Sequence, residues 1–169
     1  YVTIKYNAAG DSLWTRTYNG IGNGIDRSRA IEVDSLGNVY ITGDSESLHD
    51  TSYFPDVTSI KYDSLGSTVW INRYLNSGIK ASYSYGFAKD NIGNIYTTGF
   101  AIDNMLNEDI LTIKYNSIGQ IQWVRTFNGN ANSNDRGSEL IIDYENNIIV
   151  GGSCVKDTTG GDFCLIKYN

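Results

Sequence analysis

One short phrase, Ile-Lys-Tyr followed by Asn or Asp, occurs four times in this chain. It closes the segments Thr3 to Asn7, Ser59 to Asp63, Thr112 to Asn116 and Leu165 to Asn169, at steps of 56, 53 and 53 residues. A fixed period of this length marks a repeat array and overrides any window-by-window reading. Two further landmarks keep the same register. Trp14, Trp70 and Trp123 follow the phrase at one phase. A block that opens on Asp and ends on Gly recurs at Asp34 to Gly43, Asp90 to Gly99 and Asp143 to Gly152. The extra three residues of the first full repeat fall around Ser47 to Pro55.

Each repeat divides into four short runs of β-branched and aromatic residues separated by turn residues, which predicts four strands, a to d. In the first full repeat these are Arg29 to Val33, Val39 to Gly43, Val57 to Tyr62 and Thr68 to Tyr74. The a–b and c–d turns open on Asp or Asn, whose side chain bonds backbone two residues on. Gly37, Gly66, Gly93 and Gly119 supply the positive φ that closes each hairpin, and Asn147 stands near that place in the last repeat. The array therefore starts with strands c and d in residues 1–20. Full four-strand units follow at 27–74 and 81–127, and strands a to c end the chain at 137–169. Residues 1–169 form one repeat array rather than several domains.

Both faces of the predicted strands carry bulky residues. Val39 and Ile41 oppose Tyr40 and Thr42, while Trp70 and Tyr74 share a face of strand d. Four-stranded antiparallel sheets stacked face to face around an axis satisfy this, so the predicted fold class is all-β, a β-propeller with incomplete blades at both ends. A solenoid fits less well, because its repeats are usually shorter. The run Ala30 to Gly43, followed by Thr58 to Gly66 and then Trp70, resembles the SBBP-type β-propeller repeat of secreted and cell-surface bacterial proteins. Its Asp-x-x-Gly-Asn-hydrophobic-Tyr core also resembles the NHL blade. The last repeat departs at Tyr144-Glu145-Asn146, without the turn Gly. The resemblance implies an extracellular or cell-surface scaffold or binding role and brings no catalytic residues with it.

A usual ring needs four to eight blades, more than this chain spells out. Three readings follow. The chain is part of a longer propeller, it completes its terminal blades with its own copies, or it closes alone in an unusual way. It begins inside a repeat and not on Met, which reads as a processed product or an excerpt. Because strand c opens and closes the array at one phase, pairing between copies would generate a ring or a filament. The net charge of −6, with Lys and Arg scattered singly, argues against a nucleic-acid partner. No run of 18 apolar residues exists, so insertion into a membrane as a helix is not expected.

Candidate sites are few. Asn19, Asn23 and Asp26, and their counterparts Asn128, Asn132 and Asp135, alternate oxygen side chains before strand a. Such a set could hold Ca²⁺, although one carboxylate per loop is meagre charge and Ser82 replaces the Asp in the middle repeat. The alternative is a loop whose Asp caps a turn or pairs with the adjacent Arg. Otherwise no cofactor is expected. Lys5, Lys61, Lys114 and Lys167 lie on strand c, away from the channel, and read as snorkelling or paired side chains. Trp14, Trp70 and Trp123 read as packing between blades rather than as sugar platforms. His49 is the only His, in the b–c loop, without a second His for a relay or metal cluster. Cys154 and Cys164 flank the last b–c connection. They form a local disulfide, suited to an oxidising compartment, or stand as small buried apolar residues. No phosphate loop, Ser elbow or nucleophilic Cys motif is present.

The reading of function is a non-enzymatic extracellular module, structural or interaction-mediating, with its own copies or more of the same propeller as partner. The alternative is a carbohydrate- or peptide-binding portion of a larger secreted or cell-surface protein. Its ligand site would gather on the b–c loops Ser45 to Pro55, Ala101 to Asn107 and Val155 to Gly161.

Overall fold

A computed structural model describes residues 1–49, 52–75, 78–129, 133–156 and 160–169. Thirteen strands and no helix occur among them. The first sheet pairs β1 (Val2–Tyr6) with β2 (Ser12–Thr17). The second holds β3 (Asp26–Val33), β4 (Val39–His49), β5 (Ser52–Tyr62) and β6 (Thr68–Arg73) in chain order. The third repeats this order with β7 (Ile79–Lys89), β8 (Ile95–Asp103), β9 (Glu108–Tyr115) and β10 (Ile121–Phe127). The fourth has β11 (Arg136–Ile142), β12 (Ile148–Lys156) and β13 (Gly160–Tyr168). All neighbours are antiparallel, so each sheet is an up-and-down meander of propeller type.

The turns explain why the hairpins close. In each a–b turn the Asp carboxylate takes two backbone amides. Asp34 Oδ1 accepts from Leu36 and Asn38, Asp90 Oδ1 from Ile92 and Asn94, and Asp143 Oδ1 from Glu145 and Asn147. Gly37 and Gly93 then adopt φ of 79° and 85°. In the fourth sheet the left-handed residue is Asn146, with φ 64°, not the expected Asn147. Asn147 instead stands where Asn38 and Asn94 stand and donates its side-chain amide to Asp143. Asn tolerates the left-handed region because its short polar side chain bonds locally.

The longest departure from expectation lies in the second sheet. Ser45 to Pro55 was expected as a loop, yet β4 and β5 stay paired from Ser45↔Asp56 to His49↔Ser52. Pro55 is tolerated there because pairing of β5 with β6 begins only at Thr58, which leaves β5 an edge at that point. Likewise Ala101 to Asp103 belong to β8, and the connection is a tight turn in which Asp103 Oδ1 accepts from Met105 and Asn107. In the last b–c connection, residues 157–159 lie outside the described residues. Strand a also starts earlier than expected, at Asp26 rather than Arg29.

The core lies between sheets. Tyr40, Val57, Tyr74, Ile95, Leu111, Ile113 and Tyr115 form one buried cluster joining the second and third sheets. Tyr96, Ile110, Leu140, Ile148 and Val150 form another joining the third and fourth. Val39, Ile41, Ile60 and Tyr62 pack with Tyr1, Trp14 and Tyr18 of the first.

Candidate functional site: junctions, inner rim and uncovered faces

Each strand d sends its Trp onto the next sheet. Trp14 Nε1 donates to the Ser64 carbonyl at 3.2 Å and Trp70 Nε1 to the Ser117 carbonyl at 3.2 Å. The rings lie over Gly66 and Gly119, where a Cβ would stand 2.8 and 2.6 Å from the indole. These glycines therefore serve both the turn, at φ 83° and 81°, and the junction. Trp123 packs against Tyr168 of the fourth sheet, with ring centroids 5.6 Å apart.

The recurring Lys takes the same partner in the second and third sheets and a different one in the fourth. Lys61 lies over the Tyr40 ring at 4.9 Å and Lys114 over the Tyr96 ring at 5.1 Å, each across a β4–β5 or β8–β9 pair. Where the tyrosine is replaced by Ile149, Lys167 instead reaches Asp143 at 3.1 Å. The bond from the Asn147 side chain does most to hold the Asp143 carboxyl down to about 2, with further help from Lys167. Tyr40 is pushed up to about 12 by burial and by its bond to Asp34.

Of the six oxygen-bearing residues proposed for Ca²⁺, the five that are described make contacts within the protein itself. Asn19 Nδ2 donates to Asn23 Oδ1 at 2.6 Å, and Asp26 Oδ2 accepts from Gly20 N at 3.0 Å. Asp135 is fully buried; its carboxylate accepts from Gly129 N and, at 2.9 Å, from Val155 N. Asn128 is also partnered. Asn132 lies outside the described residues. Asp135 thus ties the d–a loop to strand b, whereas Asp26 holds only the loop and keeps Oδ1 buried without a hydrogen-bond partner. Among the described residues no three His, Cys, Asp or Glu side chains gather as a metal set. Cys154 and Cys164 are bridged between β12 and β13. His49 pairs through its backbone with Ser52.

Sequence reasoning missed a row along the inner strands. Asp44, fully buried, takes Arg29 Nε at 2.7 Å and Arg27 at 3.4 Å. The Arg29 guanidinium lies 5.1 Å over Tyr85, and Tyr85 and Tyr83 both stack on Phe100. Arg136 covers Phe100 at 4.9 Å and is held by both oxygens of Glu108. Cation–π contacts and ion pairs therefore clamp the second sheet to the third and the third to the fourth. The signal was in the phase: Arg27, Tyr83 and Arg136 are equivalent, as are Arg29, Tyr85 and Ser138.

The clefts share one origin. A cleft of about 360 Å³ lies between Thr3 to Tyr6, Trp14 and Ile31 to Val33. One junction later the equivalent face, Phe87 and Ile95, is covered by Tyr40. A cleft of about 280 Å³ includes Arg136 and Ser153. Their equivalents Arg27 and Asp44 lie against the third sheet, and Asp44 has no exposed surface. The far face of the fourth sheet is the most open of all. Phe163 and Leu165 are 101% and 76% exposed, whereas Val57 and Ser59, and Ile110 and Thr112, at the same repeat positions, are at most 1% exposed. The structure thus presents, at both ends, faces that the repeat elsewhere buries.

Residues 14–48 match the family model of the SBBP beta-propeller repeat. The match runs from Trp14 through the d–a loop and strands β3 and β4, and the same landmarks recur in the later sheets. No curated protein matches the chain.

Proposed function

We propose that this array of β-propeller repeats is a non-enzymatic extracellular or cell-surface module whose work is structural: it binds further sheets of its own kind. The observation that carries this is the exposure of Phe163 and Leu165 at positions that two earlier sheets bury completely. Ile31 and Val33, 65% and 59% exposed, form the matching open face at the other end of the stack. The covering sheet comes from another copy or from more of the same propeller, and chains joined in this head-to-tail sense build a ring or filament. Uncovered apolar faces of this kind mark interaction surfaces.

Light scattering over a range of protein concentrations tests the reading. Association that grows with concentration, and that Leu165→Glu abolishes without unfolding the chain, is expected. A one-chain mass at every concentration would overturn pairing between copies and leave more of the same propeller as the source of the covering sheet. The bridge between Cys154 and Cys164 supports an oxidising compartment. Thiol titration of protein purified without reductant should find no free thiol in denaturant; two free thiols would count against the extracellular assignment.

A further inference from the structure

We propose that the side chains at each junction form a matching rule, and that the far face of the fourth sheet takes only a sheet of this repeat with Gly or Ala on its inner strand and Val or Ile on its second strand, at the two positions that meet the preceding sheet. This rests on the reading of that face as an interaction surface and adds which sheet it accepts.

The rule is visible at the two internal junctions. The second sheet presents Thr42 and, beside it on β5, Ser59. The third sheet meets them with Ser84 and Thr97. All four hydroxyl side chains are buried, and they bond one another: Thr42 to Ser84 at 3.1 Å, Ser59 to Thr42 at 3.2 Å, and Ser84 to Thr97. Hydroxyl meets hydroxyl. The third sheet presents Thr98 and Thr112, but Thr98 donates back to its own sheet, to the Leu111 carbonyl at 3.0 Å, and lies 3.3 Å from Thr112. The fourth sheet accordingly offers no hydroxyl there. It has Gly137 where the third has Ser84, and Val150 where the third has Thr97. The fit is close, since a Cβ on Gly137 would stand 2.4 Å from Thr98 Oγ1.

The fourth sheet presents Gly151 and Leu165 at the same two positions, paired across β12 and β13. The Thr has become Gly and its neighbour has become Leu. A Cβ on Gly151 would meet nothing within 4 Å, so the pair leaves a hydroxyl-free, aliphatic face. A sheet bringing Ser and Thr against it would keep their bond to each other and that of Thr97 to the Gly86 carbonyl, but would bury the pair without the hydroxyl that Thr42 supplies at the earlier junction, which is unfavourable. A sheet bringing Gly and Val would bury only apolar surface. The first sheet gives the converse: Thr3, equivalent to Ser59 and Thr112, is buried with an unpartnered hydroxyl. Its missing partner is the Thr that strand b supplies in the second and third sheets.

The test extends the full chain after Asn169 with a second copy of residues 64–127, which supplies a strand d and a copy of the third sheet. One version keeps the copied Ser84 and Thr97. The other carries Gly and Val at those two copied positions, as in the fourth sheet. Hydroxyl-radical footprinting of Phe163 and Leu165 reports whether the face is covered, and the melting temperature reports how well. The Gly/Val version is expected to protect both residues several-fold and to melt several degrees above the Ser/Thr version. Equal protection and equal or higher melting in the Ser/Thr version would overturn the matching rule while leaving the face an interaction surface. Protection in neither version would overturn both.

Discussion

The junction between the second and third sheets and the junction between the third and fourth use the same repeat positions and different chemistry. At the first, Asp56 is buried and held by Arg73 at 3.1 Å and by Ser47, and the hydroxyls of Thr42, Ser59, Ser84 and Thr97 bond one another. At the second, Thr126 stands where Arg73 would be, so Asp109 keeps one buried oxygen without a partner. Burial, and then the nearby Asp103 and Asp135, push its carboxyl up. Gly137 and Val150 replace the hydroxyls, and a disulfide ties β12 to β13. The period fixes where sheets touch. The side chains at those points decide whether the contact is polar and interlocked or apolar and clipped.

The largest expected contrast comes from the equivalent carboxylates. Asp56→Ala leaves the half-buried Arg73 without its carboxylate and should cost about 3 kcal/mol in chemical denaturation. Asp109→Ala removes a carboxylate with one buried, unpartnered oxygen and should cost little or raise stability. Equal losses at the two positions would break the comparison. Reduction of Cys154–Cys164 comes next. The bridge closes a short loop, so the chain-entropy account gives roughly 2–3 kcal/mol, read as a fall in melting temperature with reductant. The second–third junction should be untouched, which hydrogen exchange in β5 and β7 would check.

Smaller effects should separate the hydroxyl layers. Thr42→Val removes the acceptor of Ser59 and one of the two partners of Ser84 and should cost about 1–2 kcal/mol, while Thr98→Val, whose hydroxyl bonds within its own sheet, should cost about 1 kcal/mol or less. The smallest effect is in pH. A carboxyl whose folded pKa is raised binds its proton more tightly when folded, so its penalty disappears as pH falls through that value. The wild type should therefore gain slightly on Asp109→Asn as pH falls from neutral into the range where Asp109 titrates. Asp143 works in the opposite sense. Its carboxyl is held down to about 2, so its contribution is present above the ordinary carboxylate range and is lost as pH falls from about 4 toward 2. Asp143→Asn should flatten that acid limb of the melting curve.

Much of the architecture was legible because hairpin turns and hydrophobic alternation are local. The Asp-to-Gly blocks placed the a–b turns, and the phase of Trp14, Trp70 and Trp123 placed strand d. The extension of β4 and β5 through Ser45 to Pro55 was not legible, because Ser, Glu and Pro look like loop until a register with the opposite strand gives them partners. The inner rim was equally hidden. Arg29 and Tyr85 lie 56 residues apart in sequence and meet only because successive sheets stack.

By itself the sequence determined the period, the four-strand unit and the turn chemistry, all set by residues within a few positions of one another. Tertiary structure alone decided that Asp135 ties its loop to strand b while Asn19 bonds within its own loop, and that Lys61 and Lys114 sit over tyrosines while Lys167 finds Asp143. It also decided which hydroxyls bond across a junction and which turn inward. Those outcomes depend on what the neighbouring sheet brings within hydrogen-bond or van der Waals distance, and a repeat unit does not contain its neighbour.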